Sequence, residues 1–593
     1  MATKAQGVEV GGGRFVLGPG APDDCFTPEE FSEQHRLIAQ TAEQFAAQEV
    51  VPRIAELEHQ DFAVTRSLLV KAAEVGLTAV DIPEAYGGLG LDFVSSTIVY
   101  DRIAKYASFS VTFGGHTGIG MLPILYFGSE EQKRKYLPKL AASEWVGAYA
   151  LSESGSGSDA LAARARAELS PDGKHYVLNG EKMWITNAGF ADLFTVFAQV
   201  GGDKFTAFLV EKTFPGVATG AEEKKMGIKG SSTRPLILND ARVPVANVLG
   251  EIGRGHVIAF NILNVGRFKL GAGCAGGARN TLTEAIAYAK QRKAFGRPIA
   301  EFPLVAQMLA EIALGVFACE SAVYRTVGLI DRRLEGIDKT APQAGAQIRK
   351  VLEECAVECS IVKVFGSEML DRTVDANVQI HGGYGFVQEY EAERAYRDSR
   401  VNRIFEGTNE INRLLITGQL LKRALKGELP LLAEVQRTTD ELMAGPAAAA
   451  AASGPWVAET AQTEGVRKLA LLLAGAAFQK FREALEQEQE VLACLADLIS
   501  ITYVLQSAIL RAQKNSGPGA ALMATMARAL VAEQMERAEA VAHRLLPRLA
   551  EGDMLRTQAA MARRLLKREP ADVIALRREI ARAAIEAGRY PLS

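Results

Sequence analysis

The segment Arg403 to Arg413, RIFEGTNEINR, places the carboxylate of Glu406 between Phe405 and Gly407, just before a helix that Thr408 or Asn409 can cap. The pattern suits a general base. Apolar neighbours raise a carboxylate's pKa, a helix N-terminus opposes the rise, and the glycine lets a substrate approach the backbone. A surface Glu that merely caps the helix is the alternative.

Four other motifs carry groups able to hold a ligand. Tyr149 to Ala160, YALSESGSGSDA, satisfies the dinucleotide pattern GxGxxA after an apolar strand. A Rossmann site needs a helix to begin at those glycines, whereas the following ARAELSPDG reads as strand and hairpin turn. A nicotinamide domain is rejected, and a Gly/Ser turn without ligand stays open. In Lys182 to Asn187, KMWITN, the side chains of Trp184 and Thr186 share one face of a strand. There a flat ring and a hydroxyl can meet an isoalloxazine, or the tryptophan simply packs in a core. Gln379 to Phe386, QIHGGYGF, is a glycine-rich loop that lets backbone approach a ligand, with His381 read as a helix-end cap. In Gln291 to Gly296, QRKAFG, Arg292 can pair with a phosphate or mark a basic helix end.

Distinct scaffolds must position these motifs. After a glycine-rich tail (1–26), Thr27, Pro28, Glu29 and Glu30 combine an N-cap, a first-turn proline and a capping-box acid. They announce a helical lobe over 27–145. Turns at Asp172-Gly173 and Asn179-Gly180, between β-branched and aromatic runs, predict a small β-domain over 146–255. Apolar residues at three- and four-residue intervals over 258–291, 302–335, 340–379 and 409–425 predict a four-helix bundle within 256–425. The alanine run between Gly-Pro breakers reads as a linker within 426–456. Residues 457–593, rich in Ala, Leu, Glu and Arg, form a further helical domain without a chemical motif. The expected fold class is mainly α with a central antiparallel β-domain.

Composition narrows the functions. With 593 residues, 48% hydrophobic and 23% charged, the chain can bury several cores. A net charge of -3 and a pI near 6.3 give no basic field for nucleic acid. The six cysteines lack CxxC spacing, so no metal or redox site is expected and a reducing compartment fits. The start carries no signal or transit pattern, and the longest nearly apolar run, Leu469 to Phe478, is far short of the roughly 20 residues that cross a bilayer. A cytoplasmic protein is expected. The last segment is locally basic, with Arg556, Arg563, Arg564, Lys567, Arg568, Arg577, Arg578 and Arg582. Peripheral contact with anionic membrane is one reading of it, and a solvated bundle surface is the commoner one.

Taken in order, ALSESGSGSDA, MWITN, RKAFGRPI, QIHGGYGF and RIFEGTNEI resemble the motif set of the acyl-CoA dehydrogenase family, over about residues 27 to 425. GEKMWITNAG, EKKMGIKGSST and ILNVGRF, with the C-terminal extension, are most similar to its very-long-chain branch. The resemblance implies an α-domain, a β-domain and an α-bundle around noncovalent FAD. It assigns the flavin's surroundings to Tyr149, Leu151, Ser152, Ser158, Trp184, Ile185, Thr186, Arg292, Phe295, Phe302, Gln379, Ile380, Gly382, Gly383, Thr408 and Glu410. Arg292 and the 379–383 loop would reach the FAD of a neighbouring subunit, which implies at least a homodimer. Substrate contacts fall to Ser158, Asn264, Arg267, Gly407 and Arg413. Ser154 stands where the family usually has proline or serine, and Ala294 replaces a frequent threonine or serine.

The implied reaction converts a long or very long chain acyl-CoA to the trans-2-enoyl-CoA, as in fatty acid β-oxidation, with electron-transfer flavoprotein as acceptor. Glu406 takes the α-proton, the β-hydrogen leaves as hydride to the flavin, and the thioester carbonyl accepts a hydrogen bond from the Glu406 N–H. Some branches carry the base at the position matching Gly266, where glycine cannot serve. Gly114, Gly115 and Gly118 predict a deep acyl pocket, with helix packing as the alternative. Two rivals share the fold: an acyl-CoA oxidase-like flavoenzyme, and an assembly or docking protein. Retention of Glu406 argues for catalysis.

Overall fold

The computed structural model describes residues 11–338, 341, 343–444 and 454–593. The N-terminal lobe is helical throughout: α1 (Glu33–Phe45), α2 (Ile54–Glu58), α3 (Phe62–Glu74), α4 (Phe93–Ile103), α5 (Ala107–Thr117), α6 (Leu122–Phe127) and α7 (Glu130–Ala141). The capping box at Thr27 and Glu30 is present, but it closes one 3-10 turn, Pro28–Glu30. The helix proper starts after Ser32, whose hydroxyl accepts the His35 N–H.

The β-domain holds β1 (Gly147–Ala150), β2 (Arg166–Leu169), β3 (His175–Thr186), β4 (Leu193–Val200), β5 (Lys204–Glu211), β6 (Val217–Thr219), β7 (Thr233–Pro244) and β8 (Val248–Leu249). Their order is β6-β7-β3-β2-β4-β5-β8, with β1 pairing in parallel beside β4. Register shifts between β3 and β7 fall at Leu178/Gly180 and Lys182/Ile185. The second spans Met183 and Trp184, so the strand is re-aimed where it carries candidate site residues.

The bundle comprises α8 (Gly255–Gln291), the hairpin β9 (Lys293–Ala294) and β10 (Arg297–Pro298), α9 (Pro303–Leu334), α10 (Ala344–Glu354), α11 (Ala356–His381), α12 (Glu391–Ser399) and α13 (Asn409–Leu425). The third expected helix is two helices, because the chain steps out of helical geometry at Cys355. α8 is the central element, and it crosses α11 where Gly271 meets Gly366. A Cβ at Gly366 would stand 3.2 Å from the Gly271 Cα, so side chains there would force the helices apart.

The C-terminal helices are α14 (Leu431–Met443), α15 (Val457–Phe481), α16 (Gln489–Lys514), α17 (Ala520–Leu549), α18 (Gly552–Leu565) and α19 (Val573–Ala587). Two expectations change here. Much of the segment read as a linker is α14, whose Thr438 and Leu442 are buried; residues 445–453, which hold the alanine run, lie outside the described residues. The described part of the glycine-rich tail, from Gly11 to Gly18, is built into the core. Gly13 N–H donates to Glu358 (2.6 Å), Arg423 donates to the Gly12 carbonyl (2.7 Å), and Arg467 donates to that of Val16 (2.7 Å). A row of glycines exposes backbone that only distant carboxylates and guanidiniums can satisfy, which the local sequence does not announce. The helices α9 and α16 are long and apolar enough to span a bilayer, but most of each apolar window is buried inside the protein.

Candidate active site

α13 is capped by Thr408, whose hydroxyl accepts the Ile411 N–H (3.3 Å). Immediately before the cap, Glu406 has φ 56° and Gly407 φ 77°. A non-glycine residue in this left-handed region is strained and needs the surroundings to hold it. They do. Arg267 donates to the Glu406 carbonyl (3.2 Å), Lys363 to the Gly407 carbonyl (2.7 Å), and Asn412 to the Gly407 and Thr408 carbonyls (2.8 and 3.0 Å). With its carbonyls satisfied, the loop turns the Glu406 side chain inward. Among the described residues the Glu406 N–H has no acceptor.

The Glu406 carboxyl points at α8 opposite Gly266, where an added Cβ would lie 2.5 Å from Oε2. Glycine therefore makes the space that the carboxylate fills. Oε2 is enclosed and bonds to nothing. Burial pushes the Glu406 pKa up to about 7, against the pull of Arg267 and Lys363. Lys363 is in turn brought down to about 8, again mainly by burial. The opposing positive charge thus comes from two side chains, where the sequence pointed to the helix terminus.

Glu406 forms one wall of an apolar cleft of about 160 Å³ between α4, α5 and α8, lined among others by Val111, Ile119, Leu270, Leu370 and Phe405. Thr186 lines the same cleft. Gly114, Gly115 and Gly118 face it too, though for different reasons. A Cβ at Gly114 would collide with the Tyr100 hydroxyl, and one at Gly115 would press on Thr186 and Asn187, so both are close-packing positions. Open space lies on α8 at Gly273, where a Cβ would meet nothing within 4 Å. Part of the wall is polar: Lys269 forms a buried ion pair with Asp81 (3.2 Å) and sits 5.4 Å from the Tyr100 ring.

On β3, Trp184 is 56% exposed with φ 63°, Ile185 is buried, and Thr186 turns outward again. Beside them the loop after β1 is braced from below. Lys182, with no surface, donates to the Leu151 carbonyl (3.2 Å) and pairs with Glu153 (2.6 Å), which accepts the Arg164 and Ala165 N–H groups. Gly155 and Gly157 have no neighbour within 4 Å of an added Cβ, and Ser158 is exposed. Tyr149 and Leu151 are buried beneath this loop.

The remaining candidates lie elsewhere. Arg292 ends α8 and sits 5.5 Å from the Tyr384 ring, beside the turn Gly382–Phe386. His381 sits at the end of its helix as expected: its Nδ1 bonds to the Asn377 carbonyl one turn back (2.9 Å) and its ring stacks on Tyr288. Phe295, at a tight hairpin tip, is 95% exposed and touches Phe302. Gln379, Gly382 and Gly383 are exposed, whereas Ile380 is buried. From Gly266 to Arg292, α8 runs roughly 39 Å at 1.5 Å per residue, so the chain splits the expected flavin contacts into two distant groups.

Three expected substrate contacts have other partners. Arg413 pairs with Glu368 (2.8 Å) and with Asp497 (2.9 Å) of α16, away from the cleft. Asn264 and Arg267 are buried and bonded to each other (2.8 Å), so they support the Glu406 loop. Glu410 is exposed on the first turn of α13. Sequence reasoning missed Lys363 and Lys269. Lys363 interrupts the apolar run SIVKVFG, and Lys269 follows Arg267 in GRFKLGAG, where two cations share a mainly apolar helical stretch; a cation in such a run is the signal of a buried charge with a task.

Residues 32–144, 148–241 and 253–421 match the N-terminal, middle and C-terminal domains of acyl-CoA dehydrogenase, and 465–564 match a second acyl-CoA dehydrogenase C-terminal domain. The chain belongs to the acyl-CoA dehydrogenase family. It is an oxidoreductase. A probable acyl-CoA dehydrogenase of Bacillus subtilis (strain 168) is 50% identical over 594 residues, 100% of both chains. The crystal structure of an acyl-CoA dehydrogenase complexed with FAD from Bacillus anthracis is 48% identical, with a TM-score of 0.96 over 98% of this chain and 100% of that one. The mitochondrial very long-chain specific acyl-CoA dehydrogenase of Macaca fascicularis is 40% identical over 366 residues, 60% of this chain and 53% of that protein. FAD is the family's cofactor, and the residues present fit it. Exposed Trp184, the Thr186 hydroxyl, and the open backbone at Gly155 and Gly157 offer a flat face and close approach.

Proposed function

We propose that the protein is an FAD-dependent dehydrogenase of long-chain acyl-CoA, with Glu406 as the α-proton base. The observation that carries this reading is the Glu406 carboxyl, its pKa near 7, set in an apolar cleft that it shares with Thr186. The acyl chain lies between α5 and α8. Its thioester oxygen accepts the free Glu406 N–H, which stabilises the enolate charge as the α-proton leaves. Glu406 receives that proton, and a base with pKa near the working pH is ionised often enough to start and basic enough to finish. FAD, when bound, supplies the acceptor for the β-hydrogen, leaving a trans-2-enoyl product of the kind formed in fatty acid β-oxidation.

Two further readings belong to this proposal. The group around Arg292, Phe295 and the 379–383 loop completes the flavin site of a second copy, because roughly 39 Å of α8 separates it from the cleft. A homodimer is the smallest assembly that uses both groups. Electrons then pass to an electron-transfer flavoprotein. The test is an anaerobic titration with acyl-CoAs of increasing length, following loss of flavin absorbance. Efficiency should rise from short chains toward tetradecanoyl-CoA, and an optimum at butyryl- or octanoyl-CoA would overturn the chain-length reading.

A further inference from the structure

A second apolar slot lies between α13, α14, α15 and α16, remote from Glu406. Its volume is about 290 Å³, and its walls are mainly hydrocarbon, among them Leu420, Val435, Leu471, Ala474, Leu495 and Ile499, with Thr417, Gln436, Gln479 and Thr502 at intervals. Native interiors are close-packed, and an engineered hydrocarbon cavity of about 150 Å³ already takes up benzene. A larger, mainly apolar slot suits an apolar occupant. It is long: along α15 its lining runs from Arg467 to Phe478, roughly 16 Å at 1.5 Å per residue. Such a slot suits one extended alkyl chain better than a compact ring.

The slot has a polar end. Past Phe478 and Leu485 it runs into a surface groove lined by Lys422, Lys426, Arg482, Glu483 and Glu486. The three cations have no ion-pair partner among the described residues, and three positive against two negative charges leave one positive charge over. At the inner end Arg467 is committed to Glu434, Glu464 and the Val16 carbonyl. A monoanionic head therefore belongs at the outer mouth. The several negative charges of a CoA group would face Glu483 and Glu486 there.

We propose that this slot is a binding site for a free long-chain carboxylate, a fatty acid anion, separate from the catalytic cleft. Its tail fills the slot, and its carboxylate meets Lys422, Lys426 and Arg482. α13 touches both sites: it begins at Asn409 beneath the Glu406 loop and passes the slot at Thr417, Leu420 and Leu421.

The experiment uses the full-length, FAD-loaded protein with its active site saturated by a non-oxidisable thioether analogue of hexadecanoyl-CoA. Carboxyl-labelled hexadecanoate is then titrated and followed by NMR. Stoichiometric binding is expected. Ala474→Phe, which fills the slot, should weaken it by at least about tenfold, and so should the surface pair Lys422→Glu and Lys426→Glu, with FAD content and kcat unchanged. If Ala474→Phe does not fold, the surface pair decides. No binding to the blocked wild type, equal binding by the variants, or displacement of hexadecanoate by excess thioether analogue would each overturn the proposal.

Discussion

At Glu406, burial and two cations act in opposite directions on one proton, and the balance sets where the base works. Flavin reduction at limiting substrate should rise with pH around a midpoint near 7, since the ionised carboxylate is the active form. Lys363 is one of the two cations that lower this pKa. Lys363→Met should therefore move the midpoint upward, while Lys363→Arg keeps it close to wild type; stopped-flow reduction across neutral pH reads both. An unmoved midpoint in the Met variant contradicts the assignment. The position of the carboxylate before a capped helix was legible in sequence, although a surface capping Glu was the alternative there, and its enclosure in the cleft comes only from the fold. Its supports were not legible, since Arg267, Lys363 and Asn412 reach the loop from α8, α11 and α13 only once the bundle has closed.

At the scale of elements, α8 provides the floor of the cleft, and its glycines decide how much of it is open. Gly266 makes room for the base, and Gly273 leaves space that nothing fills. Gly273→Leu should occupy that space and remove up to about 0.8 kcal/mol of binding for each methylene displaced. Long acyl-CoAs should lose efficiency while butyryl-CoA is little affected, measured as kcat/KM across the chain-length series; equal losses for all lengths would contradict the placement of the chain. The helices themselves followed from apolar spacing, because α8, α9, α11 and α13 bury continuous faces. The break at Cys355 and the burial of the glycine tail did not, since Gly13 finds its acceptor Glu358 345 positions away.

In the whole molecule, the C-terminal helices are bound into the catalytic unit through a buried charge cluster. Arg511 on α16 pairs with Glu320 (2.8 Å) and Glu29 (2.6 Å), while Glu320 also accepts Arg279 (2.7 Å), which in turn holds Asp101 (2.9 Å). Breaking a buried pair leaves an uncompensated charge, so Arg511→Met should cost about 3–5 kcal/mol of stability. Urea denaturation of the FAD-loaded protein measures it, and a loss under about 1 kcal/mol would place the pair among exposed ones. Truncation near residue 440 would strip partners from Glu320, Glu29 and Arg413 together, so it should lower the stability of the bundle. The terminal basic stretch is partly neutralised, with Arg568 paired to Glu539 and Arg577 to Glu533 and Glu311.

The central claim is that Glu406 removes the α-proton, and anaerobic stopped-flow reduction of the bound flavin by hexadecanoyl-CoA tests it most directly. Glu406→Gln keeps the side-chain volume and should retain FAD, while the reduction rate falls by several orders of magnitude, as removal of a base from a concerted step requires. Reduction by the Gln variant at a rate near that of the wild type would contradict the account.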